Sequence, residues 1–448
     1  MSGLAISGWP SVDVAAARLM DGVFRQPILR RLSRSAVWSV LGSATYQGTT
    51  LIAYIFAARM IGTERFGFLA AVQSTLAMFS VASGLGLGIT CTRYVAKYRD
   101  SEPARVGAII SLTTLATLGL AAVTFLCFYG MAPALAAGSL HNAGMVGALR
   151  AAAALLLLTS LLVHCQNILA GFEAYSDIAG VNFVRSIFLV PAVVLGARRA
   201  GVEGVITGMT LATLLGCLYA GARVIRTLSR SGVNLLRAKP WQEHPALVSF
   251  SLPAFLIASI AWPTMWLVLT NLGAQRGGYA QVGLLSAALQ WRTAIVALPT
   301  LIFEPALPIM SNLLGKGETA ECKRLLKLTL MISMTLTAVF CAVAALSSRF
   351  VLMAYGREFM AGRSVFVLLT LSSLFMVPSA LIAQWVASCD RMWSSFGIHL
   401  VWSFLSLAIA FSLAPAHGAA AVAVAYVIAS GVQALLFMVL AHRTLFRA

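Results

Sequence analysis

Mainly apolar runs of about twenty residues recur along the whole chain, separated by short polar connections. A hydrocarbon core about 30 Å thick requires a run of that length, because a helix rises only about 1.5 Å per residue. Twelve such runs predict spanning helices at 36–60, 67–91, 106–130, 148–170, 178–197, 203–222, 247–270, 281–310, 325–347, 364–389, 395–414 and 418–441. The longest connection, around 223–246, separates six runs from six. No connection is long enough to fold as a soluble domain. The expected fold class is an all-α polytopic membrane protein with a tail at 1–35, a first lobe at 36–222, a central loop at 223–246 and a second lobe with a short tail at 247–448.

Composition removes the alternatives. A chain of 448 residues would ordinarily suggest two or three soluble domains, but 60% of it is hydrophobic and only 10% charged. A soluble domain carries roughly 25% charged residues. The mean hydropathy of +0.88 points the same way. The formal charge of +18 resembles that of a nucleic-acid binder, yet the bases form short clusters between apolar runs, where orientation in a bilayer explains them and no nucleic acid is implied. One set of alternate connections holds twenty-one lysines and arginines and the other eight. That bias places both termini in the cytoplasm. Connection 171–177, with only Glu173 and Asp177, adds nothing to it. The seven cysteines include no CxxC pair and fall mostly inside apolar runs, so no disulfide framework and no metal site is expected. Residues 1–35 hold five arginines but no signal-peptide core. The stretch Val12 to Leu32 reads instead as a short amphipathic helix on the membrane surface.

The two groups of six resemble each other. IGTERFGFLAA (61–71) follows the first run, and LGAQRGGYAQVGLLSA (272–287) follows the seventh. GVEGVITGMTLATLLGCLYAGARVIRTL (201–228) is similar to HGAAAVAVAYVIASGVQALLFMVLAHRTL (417–445), and both end in Arg-Thr-Leu. Parallel repeats of this kind predict two pseudo-symmetric lobes around a central cavity, with alternating access by rocking. Prolines 253, 263, 299, 305 and 308 in the seventh and eighth runs permit the bends that rocking lobes need. Gly84-xxx-Gly88 and Gly204-xxx-Gly208 permit close helix approach.

Polar groups inside hydrocarbon are costly and face a bundle interior or a wet cavity. Arg292 is the deepest charge, about 16 Å into the eighth run. It reads as a cavity arginine contacting an anion or as a structural arginine satisfied by helix-end carbonyls. Gln290 is two positions earlier, roughly 200° round the helix, so the two cannot share one lumen on an ideal helix. Arg185, with Asn182 on the same face, either lines the cavity or snorkels to the interface. His164, Gln166 and Asn167 form a polar turn in the fourth run, with His164 and Asn167 on one face. Ser43, Gln47, Thr50 and Tyr54 repeat at helical spacing in the first. A hydrogen-bonded seam between helices explains these two sets as well as a lumen does. Glu304 is the acid clearly inside a run and the candidate coupling residue; no aspartate is so placed. Deep arginines and scarce acids favour an anionic cargo over a cationic one.

At several of these segments the chain resembles the polysaccharide-transporter (Wzx-like) flippases of the multidrug/oligosaccharidyl-lipid/polysaccharide exporter superfamily. The resemblance runs from about residue 35 to residue 440. It is carried by ARMIGTERFG (58–67), GLGLGITCTRYVA (84–96), LAGFEAYSDIAGVNFVR (169–185) and SAALQWRTAIVALPTLIFEPALPIMS (286–311). It implies a multi-pass protein of the bacterial inner membrane. The implied work is to move an undecaprenyl-pyrophosphate-linked oligosaccharide to the outer leaflet, as a monomer, alongside polymerisation or export proteins. Arg292 would then meet the pyrophosphate or an acidic sugar, and Arg59, Gly62, Phe66 and Gly67 would set the turn between helices one and two. Relatives draw on a proton or sodium gradient and carry no bound cofactor. Rival readings are a lipid II-type flippase and a cation-coupled drug antiporter of the same superfamily. A membrane glycosyltransferase or polysaccharide polymerase or ligase is a rival of another class. Such enzymes need a sizeable outer loop with a catalytic acid or base, whereas the outer loops here are short, with Glu64, Glu203 and Glu358 as their acids.

Overall fold

The computed structural model describes residues 27–84, 87–233, 235, 244–303, 319–388 and 391–447. The described residues are helical apart from short turns, with no strand among them. The first half contains α1 (Pro27–Gly84), α2 (Leu87–Tyr98), α3 (Pro103–Ala134), α4 (Val146–Gly171) and α5 (Tyr175–Arg230). The second contains α6 (His244–Gly273), α7 (Gly278–Phe303), α8 (Thr319–Tyr355), α9 (Arg363–Ser388), α10 (Met392–His417) and α11 (Ala419–Arg447). Among the described residues, eight helical segments are long and apolar enough to cross a membrane. The N-terminal surface helix expected at 12–32 falls largely outside the described residues, as do Glu304, Pro305 and Pro308.

Two of the longest helices are hairpins. α1 breaks at Gly62 (φ 79°, ψ 172°), and α5 breaks at Ala200 and Gly201 (φ 53°, ψ −125° at the glycine). Those positive φ values strain any residue with a Cβ. Gly418, between α10 and α11, has φ 55° and ψ −134°, close to Gly201. These two glycines occupy corresponding positions in the similar segments 201–228 and 417–445, so the likeness in sequence extends to the backbone of the turn. Close packing follows the second hairpin: a Cβ added at Gly204 would lie 1.9 Å from the Gly196 carbonyl oxygen, and one at Gly208 2.4 Å from that of Ala192.

The halves meet at the Gly62 end without side chains between them. A Cβ at Gly67 would lie 1.8 Å from the Tyr279 carbonyl oxygen, and one at Gly283 2.1 Å from that of Thr63. Around this contact Phe66 sits edge-on to Tyr355 and Phe359 of the second half, with centroids 6.2 and 5.7 Å away. The Thr63 amide and hydroxyl donate to Glu358 Oε2 at 3.3 and 3.0 Å. The Trp266 indole donates across the interface to Thr75 Oγ1 at 3.0 Å. Gly67→Leu should therefore cost at least about 2 kcal/mol or prevent accumulation, because overpacking against backbone has no soft neighbour to yield. Gly119→Ala, where nothing lies within 4 Å, should be neutral or stabilising by up to about 1 kcal/mol. Thermal unfolding of the two purified variants distinguishes them.

A candidate binding cavity between the two halves

Below the Gly62 seal the halves separate around a cavity of about 610 Å³. That lies within the range of sites that enclose a small molecule or a headgroup, about 300–1,000 Å³. Both arms of α1, the first arm of α5, α4, α6 and α7 line it. Ser43, Gln47, Thr50 and Tyr54 all face it, which resolves their helical spacing as a lumen stripe. From Gly62 to Ser43 is about 28 Å at helical rise. The cavity thus runs from beneath the seal toward the opposite end of the bundle.

Arg185 is the charged side chain among the lining residues. Its Nη2 donates to the Tyr46 hydroxyl at 2.7 Å, and the guanidinium carbon sits 4.1 Å from the centre of the Tyr46 ring. Gly216 makes room for it, since a Cβ there would come within 2.3 Å of Arg185 Cγ. Its Nε is buried without a partner. Beside it Asn182 accepts from Gln166 Nε2 at 3.0 Å. Opposite, on α7, Gln290 accepts from the Tyr355 hydroxyl at 3.2 Å. Among the described residues, no Asp, Glu, Lys or His lines the cavity. The lining can donate to phosphate oxygens from one fixed cation, bond hydroxyls through amides, and stack flat apolar faces on Tyr54 and Trp262.

The turn before α5 explains Arg185's position. Glu173 has φ 56°, in the left-handed region. Arg99 holds that turn, with Nη1 donating to the Gly171 carbonyl at 3.1 Å and Nη2 to Glu173 at 2.5 Å. Arg223 Nε donates to Asp177 at 2.8 Å. The two acids that are silent in the charge bias along the sequence therefore anchor the start of the helix bearing Asn182 and Arg185.

Three residues expected at the cavity, Arg292, His164 and Asn167, are placed elsewhere. Arg292 does not line it. It is 8% exposed, packed in the second half with its guanidinium carbon 4.8 Å from the centre of the Tyr426 ring. The phase of α7 decides this: Gln290 and Thr293 take the cavity face, and Arg292 is turned away from Gln290. His164 is buried in a seam between α3 and α4, near the Thr114 and Thr117 hydroxyls at 2.9 and 3.4 Å. Asn167 packs on Gly88, where a Cβ would lie 2.0 Å from its Nδ2. Arg59 is exposed, whereas Gly62, Phe66 and Gly67 form the seal. Glu304 lies outside the described residues. Sequence reasoning missed Tyr46, Gln73 and Trp262 on the lining. Gln73 was detectable as an amide in an apolar run, and Tyr46 as the residue one turn before Thr50. Trp262 carries no such signal.

A family described as "Polysaccharide biosynthesis protein" matches residues 32–314. The chain belongs to this family. It is 24% identical, over 394 residues, to the "EPS I polysaccharide export inner membrane protein EpsE" of Ralstonia solanacearum, covering 86% of this chain and 88% of that one. Its fold is similar to an inward-facing multidrug resistance MATE family transporter of the MOP superfamily (TM-score 0.76, 12% identity, 91% of this chain and 95% of the other). It is also similar to the lipid II flippase MurJ in an inward closed conformation (TM-score 0.70, 12% identity, 91% and 87%). At these identities the structural likeness concerns the fold.

In a cysteine-free background, Gln290→Cys and Thr293→Cys should react with a membrane-impermeant thiol reagent supplied from the open side. Ala288→Cys, buried on the same helix, should stay unmodified. Mass-shift labelling reads the difference, and equal labelling of all three would contradict the cavity's placement.

Proposed function

We propose that this polysaccharide biosynthesis protein is a flippase of the bacterial inner membrane. It moves a polyprenyl-pyrophosphate-linked oligosaccharide from the cytoplasmic to the outer leaflet by alternating access, for surface polysaccharide assembly. The observation that carries this reading is the cavity itself. It is shared between two halves, closed at the Gly62 end, and lined by amides, hydroxyls, aromatic rings and Arg185, with no carboxylate among the described residues. A cationic drug would find no counter-charge among the described lining residues. A pyrophosphate would find one guanidinium, and a glycan would find amides and ring faces. Counting the arms of α1 and α5 separately, together with α6 and α7, supports twelve spans. With cytoplasmic termini, as the positive charges favour, the Gly62 seal faces outward and the cavity opens inward. The halves act as one carrier, with no enzymatic step, and a proton or sodium gradient supplies the drive. The inner-membrane assignment of the EpsE relative supports the location.

The test is deletion of the gene followed by extraction and mass spectrometry of polyprenyl-linked intermediates. One completed repeat unit should accumulate on the cytoplasmic side while surface polysaccharide falls. An unchanged lipid pool with normal surface polysaccharide would refute the reading. Complementation with Arg185→Ala should lower export by about ten- to a hundredfold at normal protein levels, the loss of a charge-assisted bond of about 1.5–3 kcal/mol. Arg185→Lys should retain more export than Arg185→Ala.

A further inference from the structure

Arg292 poses a separate problem, independent of the cargo. A buried cation is retained only when something compensates its charge. Arg292 is 8% exposed, its Nη1 is buried without a hydrogen-bond partner, and no carboxylate pairs with it among the described residues. The guanidinium lies over the Tyr426 ring, 4.8 Å from its centre, and that ring carries no formal charge to balance it. A cargo phosphate in the cavity is on the other side of α7, against Gln290 and Thr293. Two further buried polar atoms without partners lie on the two helices that carry the Trp402 and Tyr426 rings. Ser430 Oγ is one turn beyond Tyr426 on α11, and Ser406 Oγ is one turn beyond Trp402 on α10. The Trp402 and Tyr426 rings are themselves 5.9 Å apart. Hydroxyls and an uncompensated guanidinium are all donors to negative charge.

We propose that the second half binds one small monovalent inorganic anion, chloride in the cell, at Arg292, with the Ser406 and Ser430 hydroxyls as neutral donors. A single guanidinium balances one charge. The aromatic and apolar surroundings suit an ion that gives up its hydration easily. The bound anion neutralises Arg292 within the lobe, so a positive charge can remain at membrane depth without facing the cavity.

The experiment uses the full-length protein in nanodiscs. Thermal unfolding is followed at constant ionic strength as sodium chloride replaces sodium gluconate. Tm should rise saturably with chloride, by about 2 °C or more. Arg292→Gln should abolish that rise, and Arg185→Gln should retain it. An identical Tm throughout the replacement, or a chloride shift that survives Arg292→Gln, would overturn the proposal. Should Arg292→Gln fail to accumulate, equilibrium binding of radioactive chloride to the wild-type protein decides instead. It should give one site per chain, displaced by bromide and weakened several-fold by Ser430→Ala. No binding, or binding that Ser430→Ala leaves unchanged, would overturn it.

Discussion

The direct backbone approach at Gly67 and Gly283 is the contact on which the rest of the arrangement depends. With no Cβ on either residue, α1 and α7 touch through the carbonyls of Tyr279 and Thr63. Such a contact is tight but made of few groups. Phe66 and its aromatic neighbours and the Thr63–Glu358 hydrogen bonds surround it. Because the halves are pinned at one end, their divergence further along α1, α5, α6 and α7 leaves a cavity rather than a solid core. A seal built from a small contact can also be released as a unit, which a carrier with alternating access requires.

Charge placement follows from the cost of polar groups in apolar surroundings. Arg185 and Arg292 are the same residue type inside apolar runs, yet they have different environments. Arg185 is held by the Tyr46 hydroxyl and ring and opens onto the cavity, where water or cargo can solvate it. Arg292 is enclosed within the second half against Tyr426. The rotation of one helix separates these outcomes: a change of phase in α7 would exchange Gln290 for Arg292 on the lumen. The acids that do exist near helix ends serve as anchors, Glu173 and Asp177 for α5 and Glu358 for the seal. That division of labour leaves the cavity positively biased.

Much of this is legible in the sequence. The apolar runs marked the helices, because only length and hydrophobicity enter that inference. The stripe Ser43, Gln47, Thr50 and Tyr54 and the pair Asn182 and Arg185 lay on single faces, and the structure turns those faces to the cavity. Depth, by contrast, does not specify direction. Arg292, His164 and Asn167 were identified as buried polar residues, but whether each faced a lumen depended on neighbours far away in sequence: Tyr426, Thr114 and Gly88. The backbone contact of Gly67 with Tyr279 was equally hidden, since it needs the partner helix to be known. The 200° between Gln290 and Arg292 did show that one of them must face away. Which one followed only from the packing of α7.

The most direct test of the account is to lock the seal. In a cysteine-free protein reconstituted with a polyprenyl-pyrophosphate-linked oligosaccharide, Thr63→Cys and Glu358→Cys would be joined by a short, reducible thiol cross-linker. Movement of the labelled lipid to the opposite leaflet would then be measured. The account predicts that cross-linking stops movement and that reduction restores it. Undiminished movement at complete cross-linking would contradict a cargo path that requires the Gly62 end to open.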